Sequence, residues 1–342
     1  MSQTALINTS FVACPDSFAL ARGVHDALAS HSPPGVLQSI SYTRFASGEW
    51  YAKIPETVRN THVVLFHAFQ PDPTTAFMKL LITANALQLA SAASIRLLLP
   101  FMPYQRQDRK NEARVPITAR LIWDLIEANP KITHVITMDM HSEQEQGFTK
   151  LPVDNFSANR IHVQHLIETR GDNLSDMLIV APDFGSSVRV KRFALRLLKE
   201  SQIEPPIGVL DKRRPAPNEA EITNYIGPSP KGKIVVLYDD MIDTGGTIIE
   251  AANFMRELGS REVIIAATHG IFSAKEDKFG VLVTAEEKLA GSGHHIIVTN
   301  TIPRTSEYAH AHASWLTILP IEKTIAQVIH ESFRKAGSVS SL

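Results

Sequence analysis

The stretch of this sequence with the clearest chemical capacity runs from Asp239 to Thr247 and reads DDMIDTGGT. Asp239 and Asp240 can accept hydrogen bonds from two vicinal hydroxyl groups. A glycine turn ahead of a helix suits an anion, because its backbone N–H groups form a nest and the helix N-terminus adds positive potential. These groups together fit a sugar phosphate.

The remaining residues of the stretch complete this candidate cradle. Gly245 and Gly246 let the backbone turn its N–H groups inward, and Thr244 and Thr247 offer hydroxyl donors. Asp243 can hold the loop or serve as a base. The plainer alternative is an ordinary glycine-containing turn between a strand and a helix, with an acidic cap.

Eight short apolar runs predict buried strands that would position this segment and others. Runs that are apolar on both faces are typical of parallel sheets covered by helices. The runs are Val63–Phe66, Ile95–Leu99, Val135–Met140, Leu178–Val180, Ile207–Leu210, Ile234–Leu237, Val263–Ala267 and Ile296–Val298.

Helical spacing of apolar residues lies between these runs and predicts α/β architecture. One helix begins at Pro116, and a second follows Thr247 and ends at Gly259 as its C-cap. The first is expected to bury Leu121, Ile122, Leu125 and Ile126, and the second Ile248, Ala251, Ala252, Met255 and Leu258.

Three of the predicted strands end in polar, turn-rich sequence: Asp139–His141, Pro182–Gly185 and Asp239–Gly246. Ligands of open α/β sheets bind beyond the carboxyl ends of the strands, so these ends are the candidate sites. A boundary near Asn155–Ile161 would divide the strands into two similar sets. The stretch Ala274–Gly293 lacks a core pattern and is expected to be a surface excursion.

Composition limits the possible functions. The 342 residues are 44% hydrophobic and carry a formal net charge of -1, which gives no global attraction to nucleic acid or to anionic membranes. Cys14 is the single cysteine, so no internal disulfide can form. We see no secretory signal or membrane-spanning run, and we expect a cytoplasmic protein. The terminal Ser340-Ser341-Leu342 is a loose variant of a peroxisomal tripeptide and leaves that alternative open.

The cradle sequence is similar to the loop that binds phosphoribosyl pyrophosphate (PRPP) in type I phosphoribosyltransferases and in PRPP synthetases. The segment LDKRRPAPNEAE at Leu210–Glu221 resembles the catalytic flexible loop of PRPP synthetases alone. Lys212 and Arg214 are the catalytic residues that this resemblance implies. Cations of this kind stabilise the charge on a transferring phosphoryl group.

Two further segments resemble the ATP side of the same family: Arg44–Asn60 and Met102–Ala119. The resemblance places the adenine between the planes of Phe45 and Arg106, where stacking and cation–π attraction hold a base. It also implies that Glu49 and Gln107 form hydrogen bonds with the nucleotide, the Glu49 carboxylate as an acceptor.

This chain departs from the family at Ser47, where Asp or Asn is usual. The shorter hydroxyl can still reach the adenine amine through water, and the departure bears on nucleotide selectivity. The segments Thr137–Asn155 and Val180–Arg189 also match, and they place His141 and Asp183 where the family binds magnesium. A carboxylate is a normal ligand of this hard cation, whereas His141 can act through water or on an ATP phosphate.

On these motifs the chain is identified as a member of the PRPP synthetase family. The resemblance implies two phosphoribosyltransferase-like domains, each a mainly parallel sheet flanked by helices, with the site between them. The expected limits are 1–157 for the ATP side and 158–342 for the ribose 5-phosphate side, with the flexible loop at 211–222. A homo-oligomer of dimers, often a hexamer, is also implied.

The implied reaction transfers pyrophosphate from ATP, with Mg²⁺, to ribose 5-phosphate, giving PRPP and AMP. Many members are activated by phosphate and inhibited by ADP at a second site. Positions matching that allosteric site are Arg59, Ser91, Arg114, Ser338 and Val339.

Three alternatives remain at this point. A non-catalytic subunit associated with PRPP synthetase would keep the fold but disturb the motifs, which are intact here. A phosphoribosyltransferase that consumes PRPP explains the cradle but not Lys212, Arg214 or Arg106. A metal-binding protein would use His310 and His312, or His294 and His295, which lack Cys or acidic partners at ligand spacing.

Overall fold

The computed structural model describes residues 8–30, 34–216, 219–277 and 279–333, and within 212–223 it describes the backbone alone. By their internal contacts these residues form two compact units. The first contains the described residues up to Phe156 and from Pro320 onward, and the second contains Ser157–Leu319.

The first unit contains a six-stranded parallel sheet and a separate two-stranded hairpin. Its strands are β1 (Thr9–Ala13), β2 (Leu37–Ser39), β3 (Ser41–Arg44), β4 (Trp50–Lys53), β5 (His62–Phe66), β6 (Ser94–Leu98), β7 (Ile132–Met138) and β8 (Val153–Phe156). Helices α1 (Phe18–Ala29), α2 (Pro73–Leu89) and α3 (Thr118–Glu127) also belong to it. The sheet order is β2-β1-β5-β6-β7-β8, and β3 pairs with β4.

The central strands of this sheet form where the sequence has continuous apolar runs. In β5 the residues Val63, Val64, Leu65 and Phe66 are all fully buried. Both faces of such a strand must therefore be covered, as a parallel sheet between helices requires. Each of these side chains contributes about 1.5–3 kcal/mol by its burial.

The second unit has a seven-stranded sheet in the order β11-β10-β9-β12-β13-β16-β17, and β14 pairs with β15 apart from it. Its helices are α4 (Asn159–Arg170), α5 (Ser187–Ser201), α6 (Gly246–Glu257), α7 (Ala285–Gly291) and α8 (Ser306–Ala311). Its strands are β9 (Met177–Ala181), β10 (Ile207–Ala216), β11 (Glu219–Ile226), β12 (Ile234–Ile242), β13 (Glu262–Gly270), β14 (Lys275–Glu276), β15 (Leu282–Val283), β16 (His295–Thr299) and β17 (Leu316–Leu319). The edge strand β11 is antiparallel to β10, and the other pairings in the large sheet are parallel.

Alternate residues of β12 face two different cores of this unit. Val235 and Leu237 pack in a cluster with residues of α6 and α7, whereas Val236 packs in a cluster with residues of α4 and α5. The sheet is thus covered by helices on both faces, and the predicted α/β class with mainly parallel sheets is confirmed. Each of the eight predicted strands is present.

The last described helix, α9 (Glu322–Ser332), belongs to the first unit. Arg96 of β6 donates from Nη1 to the carbonyl oxygen of Ser332 at 3.0 Å and to its Oγ at 2.9 Å. Its guanidinium also lies 3.9 Å from the ring centroid of Phe333. The expected domain limits placed this segment in the second domain, because nothing in the local sequence encodes a contact with β6.

Helix α3 differs from its prediction in the face that it buries. Ile122 and Ile126 are buried as expected, and Trp123 is fully buried beside them. Leu121 and Leu125 instead remain 53% and 38% exposed. The buried stripe therefore follows the large indole, and the expectation for these two leucines was wrong. The residues expected to be buried in α6 are buried, whereas Leu258, its C-cap, is 39% exposed.

Two segments that were expected to be loops contain regular structure. Residues 211–222 lie largely in β10 and β11, whose register shifts after Asp211 and again after Arg213. The stretch Ala274–Gly293 contains β14, β15 and α7. Ala285 and Leu289 of α7 are fully buried, so this stretch is partly core, contrary to expectation. The reciprocal cap between Thr284 and Glu287 was the signal available in the sequence.

Candidate functional site

An acidic pair lies at the carboxyl end of β12 in the second unit. Strand β12 extends through Ile242, so Asp239 and Asp240 lie on the strand itself. The side chain of Asp240 is 4% exposed and that of Asp239 is 22% exposed. Asp239 is paired with Ala267 of β13 and Met241 with His269, so strand pairing fixes the backbone on both sides of Asp240.

Three donors converge on a single oxygen of Asp239. Its Oδ1 accepts from Ser186 Oγ at 2.8 Å, from Arg189 Nη1 at 3.2 Å and from the Asp240 backbone N–H at 2.9 Å. Arg189 Nη1 also lies 3.5 Å from Asp240 Oδ1. Ser186 and Arg189 thus orient the acidic pair. The sequence prediction missed this role, although their three-residue spacing at the start of α5 would place them on one helix face.

The Asp239 carboxyl has a pKa raised above its usual range. Burial is the main cause, and the negative charges of Asp240 and Asp183 act in the same direction. The Arg189 guanidinium opposes the shift. The pair therefore suits neutral hydroxyl donors, which relieve the desolvation without adding negative charge.

Asp183, the predicted magnesium ligand, follows β9 and precedes α5. Its Oδ1 accepts from the Ser186 backbone N–H at 3.0 Å and lies 3.1 Å from Ser186 Oγ, whose one hydroxyl proton it shares with Asp239. Ser186 therefore links Asp183 to Asp239. Among the described residues there is no cluster of three or more His, Cys, Asp or Glu that could hold a metal. The donor chemistry still fits Mg²⁺, which often uses one or two carboxylates together with substrate phosphates.

The predicted phosphate cradle forms the turn between β12 and α6. Gly245 has φ +76°, which glycine adopts without strain, and it precedes the first residue of the helix. A Cβ added there would meet the Leu289 side chain at 3.3 Å. Thr247 is exposed, and Thr244, Gly246 and Asp243 are partly exposed. The structure thus brings the seven predicted ribose 5-phosphate residues together at one strand end.

The predicted catalytic residues Lys212 and Arg214 lie on β10, in the same unit. Lys212 is paired with Ile222 of β11, and Arg213 is paired with Glu221. The side chains of Lys212 and Arg214 lie outside the described part of the chain. Their catalytic role therefore stays a prediction.

In the first unit, Phe45, Ser47 and Glu49 form the tip of the β3–β4 hairpin. The Phe45 N–H donates to the Glu49 carbonyl at 2.9 Å, and the Gly48 N–H donates to the Phe45 carbonyl at 2.9 Å. The ring of Phe45 is 54% exposed, so a face of it is accessible to a planar ligand. Ser47 Oγ donates to Glu49 Oε2 at 2.6 Å.

A cation–aromatic group beside this tip was missed by the sequence prediction. Lys79 Nζ of α2 lies 3.8 Å from the ring centroid of Trp50 and 5.1 Å from that of Tyr42. Within the hairpin, the Arg44 guanidinium lies 5.7 Å from the same Trp50 centroid. The Lys79 contacts join the hairpin to α2. No local pattern indicates them, because α2 begins more than twenty residues after Trp50.

Arg106 and Gln107 are both exposed in the segment that follows β6. The carbonyl of Gln107 accepts from the Ala119 N–H at 3.2 Å, and its side-chain oxygen accepts from Thr118 Oγ1. Gln107 therefore fastens this segment to the start of α3. The predicted stacking of Arg106 with Phe45 on an adenine stays a prediction.

His141 lies beyond the end of β7, and its side chain is exposed. Its backbone N–H donates to Oε1 of the buried Gln105 at 2.9 Å. The strand end therefore shares a contact with the segment that carries Arg106 and Gln107. This contact gives His141 a fixed backbone, whereas its role as a ligand stays a prediction.

Glu145 is a buried carboxyl near His141 that the sequence prediction did not single out. It is 1% exposed, and its carboxyl interacts with the indole of Trp123. Burial raises the pKa of Glu145 to about 7, with Asp108 adding to the shift and Trp123 and His141 opposing it. An acidic residue between Gln144 and Gln146 gave no sign of burial in the sequence.

The positions matching an allosteric site are brought together only in part. The Asn60 N–H donates to the Ser91 carbonyl at 2.9 Å, which places Arg59 next to Ser91. Arg114 is exposed and has φ +66°. Ser338 and Val339 lie outside the described residues.

Three of the four histidines considered as metal ligands, His294, His295 and His312, make contacts within the protein. His294 Nε2 lies 3.0 Å from Asn253 Oδ1, His295 Nε2 lies 2.9 Å from Thr317 Oγ1, and His312 Nδ1 lies 2.8 Å from the Tyr308 carbonyl. Burial lowers the pKa of both His294 and His295.

No described helix has the length and apolar character that crossing a membrane requires.

Comparison with known proteins finds relatives whose matches extend over both units. The family model of the N-terminal domain of ribose phosphate pyrophosphokinase matches residues 11–129, and that of the phosphoribosyl transferase domain matches residues 153–287. The ribose-phosphate pyrophosphokinase of Synechococcus elongatus is 38% identical over 301 residues, covering 87% of this chain and 84% of that protein. The Listeria ivanovii protein of the same name is 37% identical over 303 residues, covering 88% of each.

A solved structure agrees with these sequence matches. The crystal structure of phosphoribosylpyrophosphate synthetase from Mycobacterium smegmatis superposes with a TM-score of 0.76 at 33% identity, covering 95% of this chain and 99% of that one. The matches extend over both units and leave little of either protein unmatched. The chain therefore belongs to the ribose-phosphate pyrophosphokinase family, also called the PRPP synthetases.

Proposed function

We propose that this chain transfers pyrophosphate from ATP to the 1-hydroxyl of ribose 5-phosphate, giving PRPP and AMP. Family membership sets the reaction class. The observation in this chain that carries the proposal is the oriented acidic pair of Asp239 and Asp240 beside the glycine turn at Gly245. Such an arrangement suits a phosphorylated sugar with vicinal hydroxyls.

Ribose 5-phosphate binds at the end of β12 in this proposal. Its phosphate lies against the backbone N–H groups of Thr244–Thr247, where the N-terminus of α6 adds positive potential. Its hydroxyls donate to Asp239 and Asp240. Because Ser186 and Arg189 already hold Asp239 in place, little reorganisation is needed on binding.

ATP binds through residues of the first unit. The adenine stacks on the exposed ring of Phe45, with Arg106 on its other face. Glu49 and Gln107 hydrogen-bond the nucleotide, and Ser47 influences adenine selectivity by orienting the Glu49 carboxylate. His141 contacts an ATP phosphate or a water bound to magnesium.

The transfer is an in-line displacement at the β-phosphorus. The anomeric oxygen forms a bond to this phosphorus and releases its proton to solvent, while the bond to the α–β bridging oxygen breaks and AMP leaves with that oxygen. Lys212 and Arg214 stabilise the charge on the transferred group and on AMP. The protein's contribution is therefore mainly positioning and electrostatic stabilisation.

Asp183 of the second unit is proposed as a magnesium ligand, and so, separately, is His141 of the first unit, directly or through water. When bound, magnesium neutralises charge between the two anionic substrates. A homo-oligomer of dimers and a phosphate-responsive second site at Arg59, Ser91 and Arg114 are further proposals from the family. Cytoplasmic location is proposed as well, and the buried free thiol of Cys14 suits a reducing compartment.

One assay tests the activity. Purified protein is incubated with ribose 5-phosphate, ATP and magnesium, over a range of phosphate concentrations, and the nucleotide and sugar products are separated. AMP and PRPP in equal amounts support the proposal. ADP in place of AMP would indicate simple kinase chemistry, and absence of product at every phosphate concentration would favour a regulatory subunit.

A further inference from the structure

The turn between β12 and α6, which forms the phosphate part of the cradle, begins at Ile242 and Asp243. These two residues are held by the segment Gly270–Ser273 at the end of β13. The N–H groups of Ile271 and Phe272 donate to the Ile242 carbonyl at 2.9 and 3.3 Å. The Ser273 N–H donates to the Asp243 carbonyl at 3.1 Å. The position of this segment therefore determines where the cradle backbone leaves β12.

Arg304 binds the carbonyl groups of the same segment. Its Nη2 donates to the carbonyls of Gly270 and Ile271 at 3.1 and 3.0 Å. Phe272, whose own N–H makes one of the contacts to Ile242, has φ +56°, which is unusual for a residue with a bulky side chain. A conformation of this kind persists when the surroundings over-determine it, and Arg304 supplies part of that restraint.

The other end of the cradle is linked to Arg304 through α8 and α7. The guanidinium lies 5.1 Å from the ring centroid of Tyr308, whose hydroxyl donates to Glu286 Oε1 at 2.8 Å. Burial and the Glu286 carboxylate raise the pKa of Tyr308, so the hydroxyl keeps the proton that it donates. One turn further along α7, Leu289 packs against Gly245.

We propose that Arg304 and Tyr308 are positioning residues for ribose 5-phosphate: they hold both ends of the cradle in the shape that accepts its 5-phosphate. The inference rests on the proposed function. Neither residue is among those that the family resemblance marks as functional. Arg304 acts on Asp243 through Gly270–Ser273, and Tyr308 acts on Gly245 through α7.

A positioning role predicts a specific change in ribose 5-phosphate binding, which a general loss of stability does not. The backbone N–H groups of a nest bind an anion only when they point to a common centre, so a shift of the cradle weakens phosphate binding. The 5-phosphate does not react, and its contacts are equal in the ground state and the transition state. Loss of positioning therefore raises KM for ribose 5-phosphate more than it lowers kcat.

The test compares Arg304→Gln with Arg256→Gln. Arg256 also donates from Nη1 to two backbone carbonyls, those of Ser260 and Arg261, but it does so at the C-terminal end of α6. We expect Arg304→Gln to raise KM for ribose 5-phosphate about 3- to 30-fold, the range typical of residues that act through a network. KM for ATP should change by no more than about twofold in either variant, because neither substitution removes a residue that is proposed to bind ATP.

Two milder variants serve if Arg304→Gln does not fold. Arg304→Lys retains a charged donor and should restore part of the affinity, and Tyr308→Phe loses only the hydroxyl bonded to Glu286 and should show a smaller rise in KM. Equal KM values for ribose 5-phosphate in all variants, with Tm lowered as in Arg256→Gln, would show a purely structural role and overturn the inference.

A binding measurement separates this inference from the proposed function. Calorimetric titration of the wild-type protein and the variants with ribose 5-phosphate gives Kd without turnover. If the wild-type protein binds the sugar phosphate but makes no PRPP, the proposed function fails while a raised Kd in Arg304→Gln still supports the inference. Unchanged Kd in an active enzyme overturns the inference alone.

Discussion

The two candidate substrate sites differ in how much of their geometry is already fixed. At the end of β12, Asp239 accepts three hydrogen bonds on one oxygen, and Asp240 is almost fully buried. At the tip of the β3–β4 hairpin, Phe45 is 54% exposed and is held mainly by bonds within its own hairpin. One site is prearranged by several elements, and the other offers an open aromatic face.

This difference follows from the two kinds of recognition. Hydrogen bonds to sugar hydroxyls depend on direction and on low solvent exposure, so the acceptors must be oriented before binding. Stacking on a base requires an accessible ring face and tolerates more freedom. We therefore expect substitutions at the end of β12 to weaken ribose 5-phosphate binding alone, and substitutions at the hairpin tip to weaken ATP binding alone.

The largest effect is expected from Lys212→Ala. Removing a cation that stabilises the transferring group should lower kcat by about 10³-fold or more, whereas Kd for ribose 5-phosphate changes little. Rapid-quench measurement of AMP formation and calorimetry of sugar binding check the two parts. Lys231→Ala, at an exposed lysine of the same unit, is the control, and near-normal turnover of Lys212→Ala would refute the role.

Asp239→Asn tests the prearranged site and should weaken ribose 5-phosphate binding by about 10- to 100-fold, the value of a charged hydrogen bond. Because the pKa of Asp239 is raised in the folded protein, the wild-type protein loses stability as pH rises and this buried carboxyl ionises. The variant lacks this cost, so its Tm at pH 8 should equal or exceed that of the wild-type protein.

The matched control for Asp239→Asn is Asp176→Asn. Asp176 pairs with Arg261 at 3.1 Å in the same unit, with both side chains well exposed. Its substitution should leave sugar binding unchanged. If the two variants bind ribose 5-phosphate equally well, the acidic pair is not the acceptor site.

The sequence predicted the end of β12 well because its signals are local. An apolar run, two acidic residues and a glycine turn lie within Ile234–Thr247, and strand, turn and helix follow directly from them. The partners of Asp239 could not be predicted in the same way. Ser186 and Arg189 lie about fifty residues earlier, and only the packing of α5 beside β12 brings them to the carboxylate.

The other errors have the same origin. Leu121 and Leu125 have helical spacing, but which face of α3 is buried depends on where the Trp123 indole fits. Helix α7 has only two core residues, too few for a periodic pattern, and its packing against Gly245 is a tertiary contact. Helix α9 joins the first unit through contacts such as that of Arg96 with Ser332, which no local pattern encodes.

Phe45→Ala tests the open site. Loss of one stacking face should raise KM for ATP about tenfold, because base–aromatic stacking contributes about 1–3 kcal/mol. Ribose 5-phosphate binding and Tm should stay unchanged, since the ring is largely exposed. Leu121→Ala removes a side chain of similar exposure, 53%, from α3 of the same unit and serves as the control. A loss of Tm without a change in KM would mean that Phe45 supports the hairpin only.

The smallest effect concerns Glu145, which extends the comparison because it is a buried group in the unit with the open site. Its folded pKa of about 7 lies above the usual value of a glutamate, about 4.3. Its favourable contribution to stability is therefore complete below about pH 4.3 and is lost as pH rises through about 7.

Glu145→Gln has no ionisation to oppose burial. The Tm values of variant and wild type should coincide near pH 5, and at pH 8 the variant should be higher by a few degrees, on the order of 5 °C. A difference that is independent of pH would show that Glu145 is already ionised in the folded protein at pH 5, and would contradict the raised pKa.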